Sequence, residues 1–289
     1  MSGMRYQAPG SVDEAVALLA DANGAARVLA GGTDLLVQLR LGMISPDVVV
    51  DIKKIAETQG ITADGGGFCI GASVSGAELG ENAELKAAYP GVVEGAELIG
   101  STQVQGRATM AGNLCNASPA ADSVPALIAA GATCTVAGPN GQREVAVGDI
   151  PTGPGQTSLA NGEFIVNIKL PARPANSGDA YLRMIPRTEM DIAIVGAGVN
   201  LVLDDSGTCT AATGVLGAVG PKTITVADAG AALVGSKVDD AALAAVAAAA
   251  SAAATPISDK RGTVEYRTKV AGVMASRAAA IAAERAQKA

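Results

Sequence analysis

Residues 30–36 read Ala30-Gly31-Gly32-Thr33-Asp34-Leu35-Leu36, and this stretch decides how the first part of the chain folds. The run Arg27-Val28-Leu29 before it predicts a short buried strand, and the apolar spacing over 35–41 predicts a helix after it. Adjacent glycines let a backbone approach a phosphate, and successive free N–H groups form an anion-binding nest. The stretch therefore indicates either a phosphate-binding turn or, just as well on this motif alone, an ordinary tight strand-to-helix turn.

The elements around this turn predict a small α/β unit. Ser11 and Glu14 form a capping box at the start of an amphipathic helix that Asn23-Gly24 ends. Residues 48–52 predict a further strand, and the unit ends near Glu57.

A second motif spans 109–122, with the sequence Thr109-Met110-Ala111-Gly112-Asn113-Leu114-Cys115-Asn116-Ala117-Ser118-Pro119-Ala120-Ala121-Asp122. Its residues are small, hydroxyl-bearing or amide-bearing. A site that contacts a large planar cofactor along its length requires such residues. Residues 101–119 predict a long ordered loop, which in a compact domain is usually functional. Asp122 is either a hydrogen-bond acceptor for a ribose or the N-cap of the next helix.

The remaining periodicities predict the rest of an α+β chain. The boundary with the C-terminal part is placed in the Pro- and Gly-rich residues 171–179. Strands are expected at 68–70, 133–137, 143–147, 164–170, 192–203 and 209–219, and helices at 75–79, 94–99, 124–130 and 263–285.

Residues 195–201 imitate a dinucleotide-binding fingerprint. The sequence Val195-Gly196-Ala197-Gly198-Val199-Asn200-Leu201 has leucine at the third glycine position, and no helix pattern follows it. A glycine-bearing strand is the better interpretation.

Composition excludes several classes of protein. The 289 residues include no histidine, so Ser-His-Asp and Cys-His catalytic systems are excluded. The four cysteines form no C-x-x-C pair, which argues against a zinc or iron–sulfur site built by this chain alone. The net charge of −7 argues against nucleic-acid binding. No signal peptide or membrane-spanning run is found, so a cytoplasmic protein with reduced thiols is expected.

The two motifs, in this order, resemble the FAD-binding medium subunits of the xanthine dehydrogenase and carbon monoxide dehydrogenase family, the molybdenum hydroxylases. Two later segments are also similar to that family: residues 187–193, which open its C-terminal domain, and residues 266–273 in its closing helix. The resemblance covers nearly the whole chain.

The resemblance implies an α+β fold with two FAD-binding subdomains of the vanillyl-alcohol-oxidase type. We expect these subdomains at 1–57 and 58–175, and a C-terminal domain at 176–289 with a three-stranded antiparallel sheet and a helix bundle. It implies FAD on this chain, with molybdopterin and [2Fe-2S] clusters on a large and a small partner subunit, as a dimer of heterotrimers. The cofactor-binding residues carried over by position are Leu29, Ala30, Gly31, Gly32, Thr33, Asp34, Leu35, Ile99, Thr109, Gly112, Asn113, Ser118, Asp122, Ile165 and Arg183.

Two positions depart from the family pattern. Ala111 stands where relatives often have a second glycine, and Arg183 stands where many have a lysine near the flavin. The insertion that carries an iron–sulfur cluster in one branch of the family is absent.

Three functions are candidates for this chain. The first is an electron-transfer subunit that passes electrons from partner clusters through FAD to an external acceptor. The second is a self-contained flavin oxidoreductase of the vanillyl-alcohol-oxidase type, which the two Phe, four Tyr and absent His make less suitable. The third is an interaction subunit that has lost its flavin, which the intact glycine and Asp positions disfavour. The substrate of the complex stays open among carbon monoxide, purines, N-heterocycles and aldehydes.

Overall fold

The first sheet is parallel and carries the glycine-rich turn at one of its edges. The computed structural model describes residues 3–289. The sheet has the order β1-β3-β2, and two helices connect its strands. Its elements are β1 (Arg5–Gln7), α1 (Val12–Asp21), β2 (Ala26–Leu29), α2 (Leu35–Arg40) and β3 (Val48–Asp51).

Helix α1 begins where the capping pattern predicts. The Ser11 hydroxyl accepts a hydrogen bond from the Glu14 backbone N–H at 3.3 Å. The Glu14 carboxylate, however, accepts from the N–H of Gly10 at 2.8 Å and not from that of Ser11. The predicted N-cap is confirmed, and the reciprocal bond closes one residue earlier than expected.

The second sheet has five antiparallel strands in the order β4-β5-β10-β6-β7. The hairpin predicted across residues 139–141 is confirmed as the turn between β6 and β7. A bulge in β10 between Ile165 and Asn167 shifts its register against β6. The strands are β4 (Ile61–Asp64), β5 (Gly67–Gly71), β6 (Thr133–Gly138), β7 (Gly141–Ala146) and β10 (Phe164–Leu170), and a separate hairpin is formed by β8 (Pro151–Gly153) and β9 (Gln156–Thr157).

Helices pack on the five-stranded sheet. Two of them lie within residues 101–119, where a long loop was predicted, so that prediction was wrong. That stretch contains two short helices, α6 and α7, because the Thr109 hydroxyl caps the Gly112 N–H at 2.9 Å and Met110 and Leu114 bury their side chains. Burial and capping outweigh the weak helix propensity of Gly and Asn here. The helices are α3 (Gly76–Glu81), α4 (Ala83–Ala88), α5 (Pro90–Glu97), α6 (Thr102–Gln105), α7 (Met110–Cys115) and α8 (Ser123–Ala129).

The C-terminal part has one antiparallel sheet and three helices. The sheet has four strands where three were expected, because β14 adds a two-residue edge strand to β13. A strand this short has no periodicity that a sequence pattern could reveal. The elements are β11 (Ser177–Met184), β12 (Val195–Leu203), β13 (Cys209–Gly217), β14 (Ile224–Thr225), α9 (Ala227–Leu233), α10 (Asp240–Ala253) and α11 (Val264–Ala286). The glycine-bearing segment 195–201 is a strand, as predicted.

Helix α11 lies directly on the backbone of this sheet. A β-carbon placed on Gly178 would lie 1.8 Å from the carbonyl oxygen of Ala282 and 2.6 Å from the Ala286 nitrogen. All the alanines of α11 except Ala280 are buried, and they belong to the core that also includes residues of the sheet and α10. Small side chains therefore allow the helix and the strands to approach closely, which explains a core that uses few large residues.

Two hydrophobic cores hold the molecule together. One is formed by residues between Val12 and Leu170 together with Tyr181, and the other by residues between Ala180 and Ala286. The first core covers both expected FAD-binding subdomains, so the division at 1–57, 58–175 and 176–289 stays a prediction. Within residues 3–289, no helix combines the length and the apolar character needed to cross a membrane.

A buried ionic contact joins the two parts. The Asp122 carboxylate accepts hydrogen bonds from Arg183 at 2.9 Å and from the Tyr181 hydroxyl at 3.0 Å. Burial raises the pKa of Asp122 to about 6, and the Arg183 charge and the Tyr181 hydroxyl oppose that rise. The carboxylate is therefore mostly ionised at neutral pH and pairs with Arg183.

Close packing of α11 predicts the effect of a single methyl group. Gly178→Ala should lower the free energy of unfolding by about 2–3 kcal/mol, because the helix has to move off the sheet. The melting temperature should then fall by roughly 3–5 °C. Gly106→Ala is the control, since nothing lies within 4 Å of its β-carbon position and its φ is −67°. Similar melting temperatures for the two variants in circular dichroism would contradict this packing.

The buried pair predicts a pH-dependent stability. Because the folded pKa of Asp122 lies above its unfolded value of 3.8, this group's contribution to stability falls as pH rises from about 4 to about 6 and is constant above that range. Arg183→Met removes the cation that lowers the pKa of folded Asp122, so this pKa rises further. The contribution of Asp122 to stability then keeps falling as pH rises above about 6. The stability deficit of Arg183→Met should be larger at about pH 8 than at about pH 6, by about 1–2 kcal/mol.

Chemical denaturation at both pH values measures this difference. Arg187→Met is the control, because Arg187 pairs with Asp191 from a side chain that is 67% exposed. A deficit of equal size at both pH values for Arg183→Met would mean that Arg183 does not govern the Asp122 titration.

Candidate functional site

A cleft of about 390 Å³ lies between the glycine-rich turn and helix α7. One wall is the turn at residues 30–35 with α2, and the other wall is residues 108–116. The cleft is lined by Arg27, Val28, Ala30, Gly31, Gly32, Thr33, Asp34, Leu35, Gln38, Ile52, Ala72, Ile99, Ala108, Thr109, Ala111, Gly112, Asn113, Cys115, Asn116, Gly155, Thr157, Leu159, Glu163, Phe164 and Ile165.

The glycine-rich turn presents backbone donors to this cleft. Within residues 3–289, none of the backbone N–H groups from Gly31 to Leu35 donates to a protein acceptor. Partly buried N–H groups without a partner are costly, so they indicate a ligand or water that accepts from them. The successive N–H groups form a nest suited to an anion.

The two glycines of the turn serve different purposes. A β-carbon on Gly31 would lie 1.9 Å from the Arg107 carbonyl oxygen, so the turn packs directly on the backbone that begins the opposite wall. Gly32 has a φ of +79°, a left-handed conformation that favours glycine. A β-carbon there would also lie 2.8 Å from the Leu29 Cδ1 atom.

The opposite wall is held in place by side-chain hydrogen bonds. Thr109 caps α7 through its bond to Gly112 and is buried. The Asn113 side-chain oxygen accepts from the Ser123 hydroxyl at 2.8 Å and from the Ser123 N–H at 3.2 Å. The oxygen of Asn113 is therefore used within the protein, which leaves its amide N–H groups as donors for the cleft.

Apolar side chains form the base of the cleft. Phe164 and Ile165 come from β10 and are buried, and Ile52 follows β3. Ile99 follows the end of α5 and also lines the cleft. Such a surface suits the face of a large planar ring.

Few charged groups face the cleft. Arg27 is the only lysine or arginine among its lining residues in the described chain, and its guanidinium donates to the Ala26 carbonyl at 2.7 Å. Burial raises the pKa of Asp34, and Arg143 holds the pKa of Glu163 below its usual value. Backbone N–H groups rather than cations are therefore the main donors to an anion in this cleft.

The structure brings eleven of the fifteen predicted site residues to the cleft. They are Ala30, Gly31, Gly32, Thr33, Asp34, Leu35, Ile99, Thr109, Gly112, Asn113 and Ile165.

Four predicted residues do not line the cleft. The Leu29 side chain lies under Gly32, and the Ser118 hydroxyl accepts from the Ala120 N–H in a turn. Asp122 and Arg183 pair with each other, and both oxygens of the carboxylate are already bonded. Asp122 stands at the N-cap position of α8, but its side chain makes no capping bond.

Several lining residues were missed by sequence reasoning. Gln38 lies three residues after Leu35 on the same face of α2, and its amide donates to Asn116 at 3.4 Å across the cleft. That helical spacing could have identified Gln38. Gly155 and Thr157 come from the β8–β9 hairpin, whose short strands give no sequence signal.

Candidate metal ligands are not grouped anywhere in the chain from residue 3 to 289. No three His, Cys, Asp or Glu side chains come together there in a way that could hold a metal ion. The four cysteines are free thiols.

Two family models cover most of the chain. The model described as "FAD binding domain in molybdopterin dehydrogenase" matches residues 2–173. The model described as "CO dehydrogenase flavoprotein C-terminal domain" matches residues 180–282.

Known relatives match along nearly the full length. The carbon monoxide dehydrogenase medium chain of Afipia carboxidovorans is 35% identical over 282 residues, which cover 98% of this chain and 97% of the relative. The putative xanthine dehydrogenase FAD-binding subunit of Escherichia coli is 34% identical and covers 69% of both chains. A solved structure of reconstituted CO dehydrogenase from Oligotropha carboxidovorans is 34% identical, covers 98% of both chains and superposes with a TM-score of 0.93. With the glycine-rich turn and α7 facing each other across one cleft, the chain belongs to the FAD-binding medium subunits of the xanthine dehydrogenase and carbon monoxide dehydrogenase family.

Proposed function

We propose that this chain is an electron-transfer subunit, which passes electrons from iron–sulfur clusters of a partner through FAD to an external acceptor. The observation that carries the proposal is the row of N–H groups from Gly31 to Leu35, which have no protein acceptor within residues 3–289 and belong to residues that line the cleft. A pyrophosphate supplies the acceptors that these donors lack.

The rest of the cleft fits the remaining parts of FAD. We place the isoalloxazine ring against Ile99 and Ile165, because these apolar side chains lie in the base of the cleft. Thr109, Gly112 and Asn113 then face the adenosine and pyrophosphate side. Their small size allows backbone approach, and the Asn113 amide offers donors. When bound, FAD supplies the redox chemistry, since it accepts and releases electrons.

The chain's own residues bind and orient the cofactor. Of the acids that line the cleft, Glu163 is bonded to Arg143 through both of its oxygens. Asp34 lies beside the nest, and burial raises the pKa of its carboxyl above the usual value. We assign neither residue a role in proton transfer to a substrate.

The names of the relatives, which describe subunits of larger enzymes, support a proposal for the partners. We propose a large molybdopterin subunit and a small [2Fe-2S] subunit, assembled as a dimer of heterotrimers in the cytoplasm. Carbon monoxide dehydrogenase and xanthine dehydrogenase are the enzymes named for the relatives. The substrate is then set by the large subunit and not by this chain.

A self-contained flavin oxidoreductase is the alternative function. Against it stands the C-terminal part, which matches the CO dehydrogenase flavoprotein domain over residues 180–282. Its sheet and helices pack around alanines, and the small pocket between them, of about 10 Å³, is lined by Val, Leu, Ala and Gly residues.

Loss of FAD from a turn variant tests the site. Gly32→Val should leave the purified chain without flavin, because the left-handed φ of +79° and the contact with Leu29 distort the nest. Strain of about 1–3 kcal/mol corresponds to roughly 5- to 150-fold weaker binding. Gly24→Val is the matched control, since Gly24 has a φ of +88° and nothing within 4 Å of its β-carbon position.

Flavin absorbance per chain is the measurement, and melting temperature reports the strain that both variants share. Full flavin content in Gly32→Val would remove the turn from the binding site. Loss of flavin from both variants alike would show that strain in the fold, and not the nest, controls retention.

Metal analysis of the native complex tests the assembly. The complex isolated through this chain should contain flavin, molybdenum and iron, with about four iron atoms per flavin if the partner holds two [2Fe-2S] clusters. A preparation that contains this chain alone and oxidises a substrate would support the self-contained enzyme instead.

A further inference from the structure

Lys53 contacts the glycine-rich turn from outside the cleft. Its ammonium donates to the Ala30 carbonyl at 3.1 Å and pairs with the Asp51 carboxylate at 2.8 Å. Lys53 is not among the residues that line the cleft, whereas Ala30 and Gly31 are. The ammonium therefore reaches the backbone of the turn without standing in the cleft itself.

Asp51 holds this ammonium in place. It is the last residue of β3 and is buried, and its carboxylate accepts from the Lys53 backbone N–H at 3.0 Å. The carboxylate also accepts from the Tyr6 hydroxyl at 2.6 Å, which comes from the neighbouring strand β1. Burial alone would raise the pKa of Asp51, but the bonds from Lys53 and Tyr6 bring it below its usual value. An ionised carboxylate, fixed by two strands of the first sheet, therefore anchors Lys53.

The backbone of Lys53 is fixed on both sides. Its N–H is bonded to Asp51, and its C=O accepts from the Gln59 side-chain amide at 2.7 Å. The Lys53 side chain is 37% exposed, yet its ammonium has two protein acceptors. The Ala30 carbonyl therefore receives its hydrogen bond from an anchored group and not from a freely moving surface lysine.

A hydrogen bond to the Ala30 carbonyl also sets the direction of the next N–H group. The peptide unit that joins Ala30 to Gly31 is trans and planar, so its C=O and N–H point in opposite directions. With the C=O directed at Lys53, the Gly31 N–H points away from Lys53. This N–H is the first of the row that has no protein acceptor within residues 3–289.

We propose that Lys53 is a positioning residue for the cofactor, which holds the Gly31 N–H toward the pyrophosphate of FAD through its bond to the Ala30 carbonyl. This inference rests on the proposed function. Asp51 compensates the charge of the ammonium, so Lys53 acts through the direction of a backbone donor rather than through its own charge. A donor that is already oriented binds its ligand more tightly, because less conformational entropy is lost on binding.

Other cations near the turn lack this contact. Arg27 lines the cleft, but its guanidinium donates to the carbonyls of Gly24 and Ala26, which precede the turn. Lys54 directly follows Lys53 and is exposed, and its ammonium has no acceptor among residues 3–289. Lys54 therefore provides a matched control for the loss of one positive charge.

Ligand titration into the full chain, freed of flavin, tests the proposal. Lys53→Met keeps a side chain of similar length and removes the donor, so FAD should bind about 10-fold more weakly. ADP carries the pyrophosphate and, measured as a competitor of FAD, should weaken by a similar factor. Riboflavin has no phosphate and should bind as it does to the wild type. A general defect in the cleft would weaken all three ligands alike.

Two further variants separate the hydrogen bond from the charge and from the fold. Lys53→Arg should recover most of the FAD affinity, because a guanidinium also donates to a carboxylate and to a carbonyl. Lys54→Met removes the same charge from the next residue and should bind FAD as the wild type does.

Three results would overturn the proposal. They are equal FAD affinity of the wild type and Lys53→Met, riboflavin affinity that falls together with FAD affinity, and a loss of FAD affinity that disappears at high salt. The second result would mean that Lys53 only maintains the fold of the cleft. The third would mean that its charge acts directly on the phosphates, because salt screens charges. A wild-type chain that binds no FAD would contradict the proposed function, and this inference would fall with it.

Discussion

The cleft between the glycine-rich turn and α7 depends on a backbone contact between Gly31 and Arg107. At this point the glycine-rich turn of the first sheet lies on the segment that begins the second motif, with no room for a side chain between them. Residues 76 positions apart in the chain thereby become the two walls of one cleft. The contact fixes the spacing between a row of backbone donors and the small residues of α7. Any larger residue at position 31 would separate the walls before it affected a phosphate.

The C-terminal part is held to the cofactor-binding part by charges on β11. Arg183 reaches Asp122, and Arg173 reaches Asp179 at 2.8 Å. Arg285 on α11 donates to the Asp179 carbonyl at 2.7 Å and also pairs with Glu94 on α5. Paired charges at a boundary between two hydrophobic cores favour one relative orientation, because any other arrangement leaves buried charges without partners.

The sequence predicted most of what local patterns encode. The strand and helix on either side of residues 30–34, the hairpin at residues 139–141 and the helix after Thr263 follow from apolar spacing, turn residues and caps, and the structure has them. The helices within 101–119 and the strand β14 were not predicted, because tertiary packing rather than propensity stabilises such short elements.

The same limit applies to the candidate site. The glycines, Thr109 and Asn113 could be chosen from residue type, and they line the cleft. Asp122 could not be placed, since its partners Tyr181 and Arg183 lie about sixty residues away and only the tertiary fold brings them to it. Gly31 was chosen for phosphate access, which stays a prediction, and the structure adds a second reason for glycine there, because a β-carbon would meet the Arg107 carbonyl oxygen.

Helix α2 is six residues long and buries none of them. So short a helix has little stability of its own in water. A ligand in the cleft would hold it through Leu35 and Gln38, which line the cleft. The affinity of the cleft for its ligand is therefore reduced by the entropy lost in holding the helix, and the bound ligand in turn protects the helix from local unfolding.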